Sequence, residues 1–185
     1  MNCTCMAELV IKHIETPLGL MRAGATDEGI CLFDFVYRRM MDAIQKRIID
    51  GLGNADIIEG EHPHIAELEK QVTEYFAGQR QVFDLPLHFI GTPFQQKVWN
   101  GLLDIPYGET RSYKQQSLFL GDVKAIRAVG TANGQNGIAI IVPCHRVIGD
   151  KGSLVGYGGG LPKKKWLLEH EAKHSGRTMQ IDMFT

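Results

Sequence analysis

Two capping boxes cut the second half of this chain into short helices, and that punctuation limits the fold more than any other feature. In Thr92-Pro93-Phe94-Gln95 a Thr N-cap is followed by Pro at the first helical position and by Gln at the third. Phe94, Val98 and Leu102 then recur along one face until Ile105-Pro106-Tyr107-Gly108 stops the helix. Ser112 with Gln115 opens a second helix through about Leu120, Gly121 breaks it, and Asp122 caps a third from Val123 to about Ala132. Two short helices around a Gly-containing turn predict a helix-turn-helix. After a loop of Asn133 to Gly137, the apolar run Ile138 to Val142 predicts a buried strand that ends at Pro143-Cys144-His145-Arg146. A glycine-rich stretch, Gly156 to Gly160, precedes a last helix from Pro162 to about His170.

The first half follows different periods. Glu8 to Ile14, a segment through Ala23, and Ile30 to Phe35 predict a small antiparallel meander, punctuated by Thr16-Pro17-Leu18-Gly19 and Asp27-Glu28-Gly29. Tyr37 to Ile49 predicts a helix ending at Gly51. Ile65, Leu68, Val72 and Tyr75 or Phe76 fall on one face of a helix over His64 to Ala77. Val82 to Ile90, interrupted by Pro86, is a linker or edge strand. The expected class is α/β: a small N-terminal α/β domain over 1–85 with a mobile start, a mostly helical, winged-helix-like domain over 86–171, and a tail over 172–185.

No run of about 18 apolar residues is present, so no membrane span is expected. The N-terminus lacks a basic segment followed by an apolar one, so the expected location is cytoplasmic: cytosol or nucleoid in a bacterium, the nucleus in a eukaryote. The formal net charge of −1 argues at first against a nucleic-acid partner. It is a cancellation: residues 1–85 carry a net of −6 and residues 86–171 a net of +4. The basic half is the half with the helix-turn-helix.

Four cysteines occur, and without a leader a disulfide framework is not expected. Cys31, among Ile30, Leu32 and Phe33, is a core residue. Cys3 and Cys5 with His62 and His64 lack zinc-ribbon spacing, so no metal and no cofactor is expected. Cys144 fits two roles on its own residues. Beside His145 and Arg146 it is a nucleophile whose thiolate is favoured by basic neighbours, with Glu171 as the acid that orients the imidazole. It is equally a buried, inert thiol next to a surface His-Arg pair.

The segment Pro143-Cys144-His145-Arg146-Val147-Ile148-Gly149 resembles the active-site signature of the O6-alkylguanine-DNA alkyltransferases. The resemblance continues in order through Phe94-Gln95, Val98-Trp99, Ile105-Pro106-Tyr107-Gly108, Ser112-Tyr113, Arg127-Ala128-Val129-Gly130, Asn136, Gly156-Tyr157-Gly158-Gly159 and Trp166-Leu167-Leu168 to Glu171. It covers about 91–171 strongly, and the N-terminal half by general layout, which in the family is RNase H-like. It implies a monomeric direct-reversal repair protein that binds alkylated double-stranded DNA through the minor groove. Such a protein flips the lesion out and keeps the alkyl group from O6-alkylguanine, or O4-alkylthymine, on a cysteine.

The roles that the resemblance implies are specific. Cys144 is the alkyl acceptor, His145 the base acting through a water, and Glu171 the carboxylate that orients it. Tyr113 donates a proton to the leaving guanine. Arg127 is the finger that enters the stack, and Ala125, Ala128 and Gly130 are the small residues that let its helix approach the groove. Asn136 ties that helix to the active-site turn. Tyr157, Gly158 and Gly159 close over the base, with the Gly158 N–H facing the guanine oxygen. Ser112 and Val147 complete the DNA- and substrate-binding set, and Lys163, Lys164 and Lys165 face phosphate. Departures from the family pattern are Ile126, Val123 and Gly137, where alanine or proline is common. Two other classes remain: a helix-turn-helix module without chemistry, against which Cys144 speaks, and a turnover cysteine hydrolase.

Overall fold

Glu8–Thr16 (β1), Gly19–Thr26 (β2) and Gly29–Phe35 (β3) pair as the antiparallel meander, in a computed structural model that describes residues 7–176. Cys3 and Cys5, weighed above as ligands, lie outside the described residues. Among those described, no three His, Cys, Asp or Glu side chains gather to hold an ion. A fourth strand that the sequence pattern did not announce, Asp56–Glu59 (β4), adds in parallel to β1, giving the order β3-β2-β1-β4. All four of its residues are exposed, so it carries no alternation to read.

Each face of the sheet is covered because the strands are apolar on both sides. Leu9, Ile11, Cys31 and Leu32 pack with Met41, Ile44 and Ile48 of Met41–Gly51 (α1). This helix starts at Met41 rather than Tyr37. Met21, Ala23 and Ala25 meet Ile65, Leu68, Val72 and Tyr75 of Pro63–Phe76 (α2). Each such aliphatic side chain, fully buried, contributes about 1.5–3 kcal/mol.

The outer edge of β3 is held by the second half of the chain. Ile30 N donates to Pro86 O at 2.8 Å and His88 N to Ile30 O at 2.9 Å. Phe33 N donates to Gly137 O at 2.8 Å and Ala139 N to Phe33 O at 2.7 Å. An edge that would otherwise invite pairing with another chain is thereby occupied. Gly29, at φ 140°, lies so close to the Pro86 carbonyl that any side chain there would collide. One buried cluster runs through Phe33, Tyr75, Trp99, Val142 and Leu167, joining residues of both halves.

Both capping boxes form, opening Pro93–Leu103 (α3) and Tyr113–Phe119 (α4). Asp122 caps the turn after Gly121, accepting from Lys124 N at 2.8 Å. That turn, Val123–Ala125, is 3₁₀, so the third helix begins at Ile126 and runs to Gly134 (α5). Arg111–Ser112 (β5) and Val147–Ile148 (β6) pair in parallel across the site region. The last helix, Leu161–Ser175 (α6), is longer than expected and stops at Gly176, which is left-handed at φ 68°. Among the described residues no helix is long and apolar enough to cross a membrane.

The expected strand at 138–142 is not one. The segment is buried, but only Ile138 makes a bridge, to Phe33, and Ile140 sits at φ 72°. The cause is the Asn136 side chain. Its Oδ1 accepts from Ile138 N at 2.9 Å and its Nδ2 donates to Val142 O at 2.9 Å. A carboxamide thus takes the place of a neighbouring strand, and the chain curls around it.

Candidate active site

The curl around Asn136 delivers Cys144 into a 3₁₀ turn, Cys144–Arg146, beside a cavity of about 270 Å³. Tyr113 lines it from α4, Gly130 and Asn133 from α5, and Tyr157 and Gly158 from the glycine-rich segment. Arg38, Arg39 and Met40 close it from the N-terminal half. Cys144 is 8% exposed. Burial pushes its thiol pKa up, while the Asn136 hydrogen bond and the charges of Arg38 and Lys164 pull the other way.

A buried carboxylate organises the region behind the cavity. Glu171 Oε1 accepts from His145 Nε2 at 2.7 Å, Tyr75 Oη at 2.9 Å and Arg146 Nη2 at 3.0 Å. Its Oε2 accepts from Arg146 Nε at 2.9 Å and from Gly108 N at 3.1 Å. Burial alone would push this carboxyl up. His145 and Arg146 outweigh burial and hold it well below the ordinary carboxylate range. His145 is fully buried, which lowers its pKa in spite of Glu171. With Nε2–H committed to Glu171, its Nδ1 is the free basic end and has no protein partner.

Arg146 departs from expectation. In sequence it stands next to the thiol as a cation, but it forks onto Glu171 and donates to Ile105 O at 2.6 Å. The cations that act on Cys144 are Arg38 and Lys164. Lys164 is a second correction: it faces no solvent phosphate. It is fully buried, and Nζ donates to the carbonyls of Val147 at 2.5 Å, Val155 at 2.7 Å and Gly156 at 3.1 Å. Burial lowers its pKa to about 8. Val147 is accordingly a core residue whose carbonyl is already engaged.

Ser112 caps α4, accepting from Gln115 N at 3.1 Å, and so sets the orientation of Tyr113 at the first helical position. Burial, reinforced by Cys144, raises the Tyr113 hydroxyl to about 12, which keeps it a proton donor. Gly130 passes beneath the Tyr113 ring, where an added Cβ would be in contact at 3.7 Å. Arg127 and Ala128 are exposed on the outer face of α5, and Ala125 is half-buried at its start. Gly159 packs against Phe35 and Tyr157 and does not line the cavity.

Arg38 went unnoticed in the sequence, where Tyr37-Arg38-Arg39 passes for a helix surface. It is buried, paired with Asp34 of β3, and donates to the carbonyls of Gly134 and Asn136. It therefore ties the N-terminal sheet to the end of α5. Tyr75, which steadies Glu171 from α2, gave no signal beyond a core position.

Comparison with known proteins agrees with this arrangement. Residues 93–173 match the family model described as the DNA-binding domain of 6-O-methylguanine DNA methyltransferase. A methylated-DNA–protein-cysteine methyltransferase of Mycolicibacterium paratuberculosis is 52% identical over 171 residues, 92% of this chain and 96% of the relative. One from Methanosarcina barkeri is 42% identical over 85% of this chain and 94% of the relative. The fold superposes on Mycobacterium tuberculosis OGT in complex with DNA with a TM-score of 0.77 at 38% identity, over 90% of this chain and 94% of that one. The O6-methylguanine-DNA methyltransferase of Pyrococcus kodakaraensis gives 0.60 at 25% identity, over 88% and 98%. With Cys144 at a cavity, a buried His145–Glu171 pair close by in the chain fold, and relatives aligned over nearly their whole length, this chain belongs to the methylated-DNA–protein-cysteine methyltransferase family.

Proposed function

We propose that the protein repairs DNA by direct reversal, moving an alkyl group from O6-alkylguanine irreversibly to Cys144. The observation that carries this is Cys144 at the cavity between Tyr113 and Gly158, with the His145–Glu171 pair behind it. The cavity takes one base, so the nucleotide must leave the stack to reach the thiol. The thiol proton passes to His145 Nδ1 through a water, and Glu171 stabilises the imidazolium. The S–C bond forms as the C–O6 bond breaks. The electron pair left on the base is neutralised by a proton from Tyr113, whose hydroxyl is then reprotonated from the imidazolium, so the net change moves the thiol proton to guanine. The carbon–sulfur bond of an alkyl thioether is inert to hydrolysis near neutral pH, and one molecule repairs one lesion.

Residues 86–171 supply the chemistry and the DNA surface, and residues 1–85 support the site from behind. The exposed face of α5 enters the minor groove as a monomer, its small residues Ala125, Ala128 and Gly130 allowing a close approach. Arg127 fills the gap left by the base. A net of +4 over this half supports modest, salt-sensitive binding that suits scanning DNA. The protein acts where DNA is handled: the cytosol or nucleoid in a bacterium, the nucleus in a eukaryote.

Incubation with a duplex carrying O6-methylguanine tests the proposal. The Cys144 peptide should gain one methyl, and repair should plateau at one lesion per protein. Many lesions per protein, with unmodified Cys144, would identify a turnover hydrolase instead. Arg127→Ala should slow repair of duplex much more than of single-stranded substrate, because only the duplex has a stack to refill. Equal slowing on both would remove the finger role.

A further inference from the structure

We infer that the segment after the last helix, Arg177 to Thr185, folds back into an apolar groove and covers the charged pair of Arg146 and Glu171 from behind. The groove has a volume of about 300 Å³ and is walled by Val82, Phe83, Leu85, Leu103 and Ile141. It shares no lining residue with the cavity at Cys144. Val82 is 74% exposed and Leu103 43%, so the described residues leave this apolar surface uncovered. A contiguous apolar surface open to water marks a place where something docks.

Two observations name the occupant. The first is where α6 ends. Gln81 and Tyr107 both line the groove. Gln81 Nε2 donates to His174 O at 2.9 Å. The Ser175 side chain lies against Gly108, next in sequence to Tyr107, so closely that an added Cβ there would collide with it. Gly176 then turns the chain in the left-handed conformation, at φ 68°. The residues from Arg177 to Thr185 therefore start beside the groove. Extended, they reach about 30 Å, enough to cross it. The second observation is their pattern. Met179, Ile181 and Met183 alternate with Thr178, Gln180 and Asp182, the period of a strand with one apolar face. That face matches the groove, and the polar face is left to water.

The docked segment acts on the charge network. Arg146 is one wall of the groove, and it forks onto Glu171 while donating to Ile105 O. Its side chain is 8% exposed and that of Glu171 fully buried. A cover over the groove removes the remaining water from this pair, and attraction between charges rises as the medium becomes less polar.

Amide hydrogen exchange on the full chain, and on a chain cut after Gly176, tests this. The amides of 82–87 and 103–107 should exchange about tenfold more slowly in the full chain. Ile181→Asp with Met183→Asp should exchange as the cut chain does. Thr178→Asp with Gln180→Asp, which adds the same charge to the polar face, should exchange as the parent does. Equal exchange in full and cut chains, or equal loss from both double variants, would overturn the inference. A second measurement needs no variant: methyl nuclear Overhauser contacts in the full chain should join Ile181 to Val82 or Leu103, and their absence would overturn it as well. Protection that grows with protein concentration, with a dimer in sedimentation, would assign the groove to a second copy and overturn the tail as occupant. None of these readouts involves alkyl transfer, so they are independent of the repair function.

Discussion

Cys144→Ser protein should bind alkylated duplex with the affinity of the parent and transfer no alkyl group. The side chain lines the cavity at 8% exposure, and oxygen is slightly smaller than sulfur, so the 3₁₀ turn and the pocket walls have no cause to move. The chemistry does change. A serine hydroxyl is a far weaker acid than a thiol, and in displacement at a saturated carbon oxygen is the poorer nucleophile. In the parent, burial raises the thiol, and the Asn136 hydrogen bond and the charges of Arg38 and Lys164 oppose that rise. Burial prevails and holds the thiol above its ordinary value, so transfer depends on a base that takes its proton. Single-turnover repair measured beside a binding isotherm separates the two effects. Serine protein that retained transfer would mean that Cys144 is not the acceptor.

Glu171→Gln should be the most destabilising conservative change in the chain. The Glu171 side chain is fully buried and accepts hydrogen bonds from His145, Tyr75, Gly108 and both arms of Arg146. Glutamine presents an NH₂ group to donors and leaves the Arg146 charge buried without its partner. Breaking a buried pair in this way costs about 3–5 kcal/mol. For a chain of this length that lowers Tm by roughly 6–20 °C. The pH dependence has a defined sign. Because the folded carboxyl titrates below its unfolded value, its stabilisation is complete above the ordinary carboxylate range and is lost as pH falls through the lower folded value. Parent and variant should therefore differ most near neutrality and converge in acid. Denaturant melts at several pH values measure this, and a constant gap down to strong acid would contradict an ionised Glu171. Repair should fall as well, since His145 loses the group that stabilises its imidazolium.

How much was legible depends on whether the signal was local. The capping boxes at Thr92 and Ser112, the meander of β1 to β3 and the amphipathic face of α2 are set within a few residues, and they form as the pattern predicts. The family was legible because its motifs are contiguous and ordered. The fold was misjudged where a distant or side-chain partner replaces the backbone's usual one. The 138–142 segment is apolar enough for a strand, but Asn136 satisfies the groups that a ladder would have used. β4 has no alternation because both its faces are exposed, and only pairing with β1 makes it a strand. Among three adjacent lysines, nothing in composition singles out Lys164; the three carbonyls around its Nζ do.

By itself the sequence determined the order of short helices, the helix-turn-helix, the charge split between the halves, and Cys144 with its neighbours as the candidate site. Each of these is written in residues close together along the chain. Only the tertiary structure decided that Arg146 serves Glu171 rather than the thiol, and that Arg38 and Tyr75, from the half without chemistry, hold the site in place. It alone decided that Lys164 is buried beneath the glycine-rich segment rather than turned to solvent. Those assignments depend on which side chains meet when elements far apart in the chain pack together. Burial then fixes their consequence, because a polar group removed from water is defined by the partners it has or lacks.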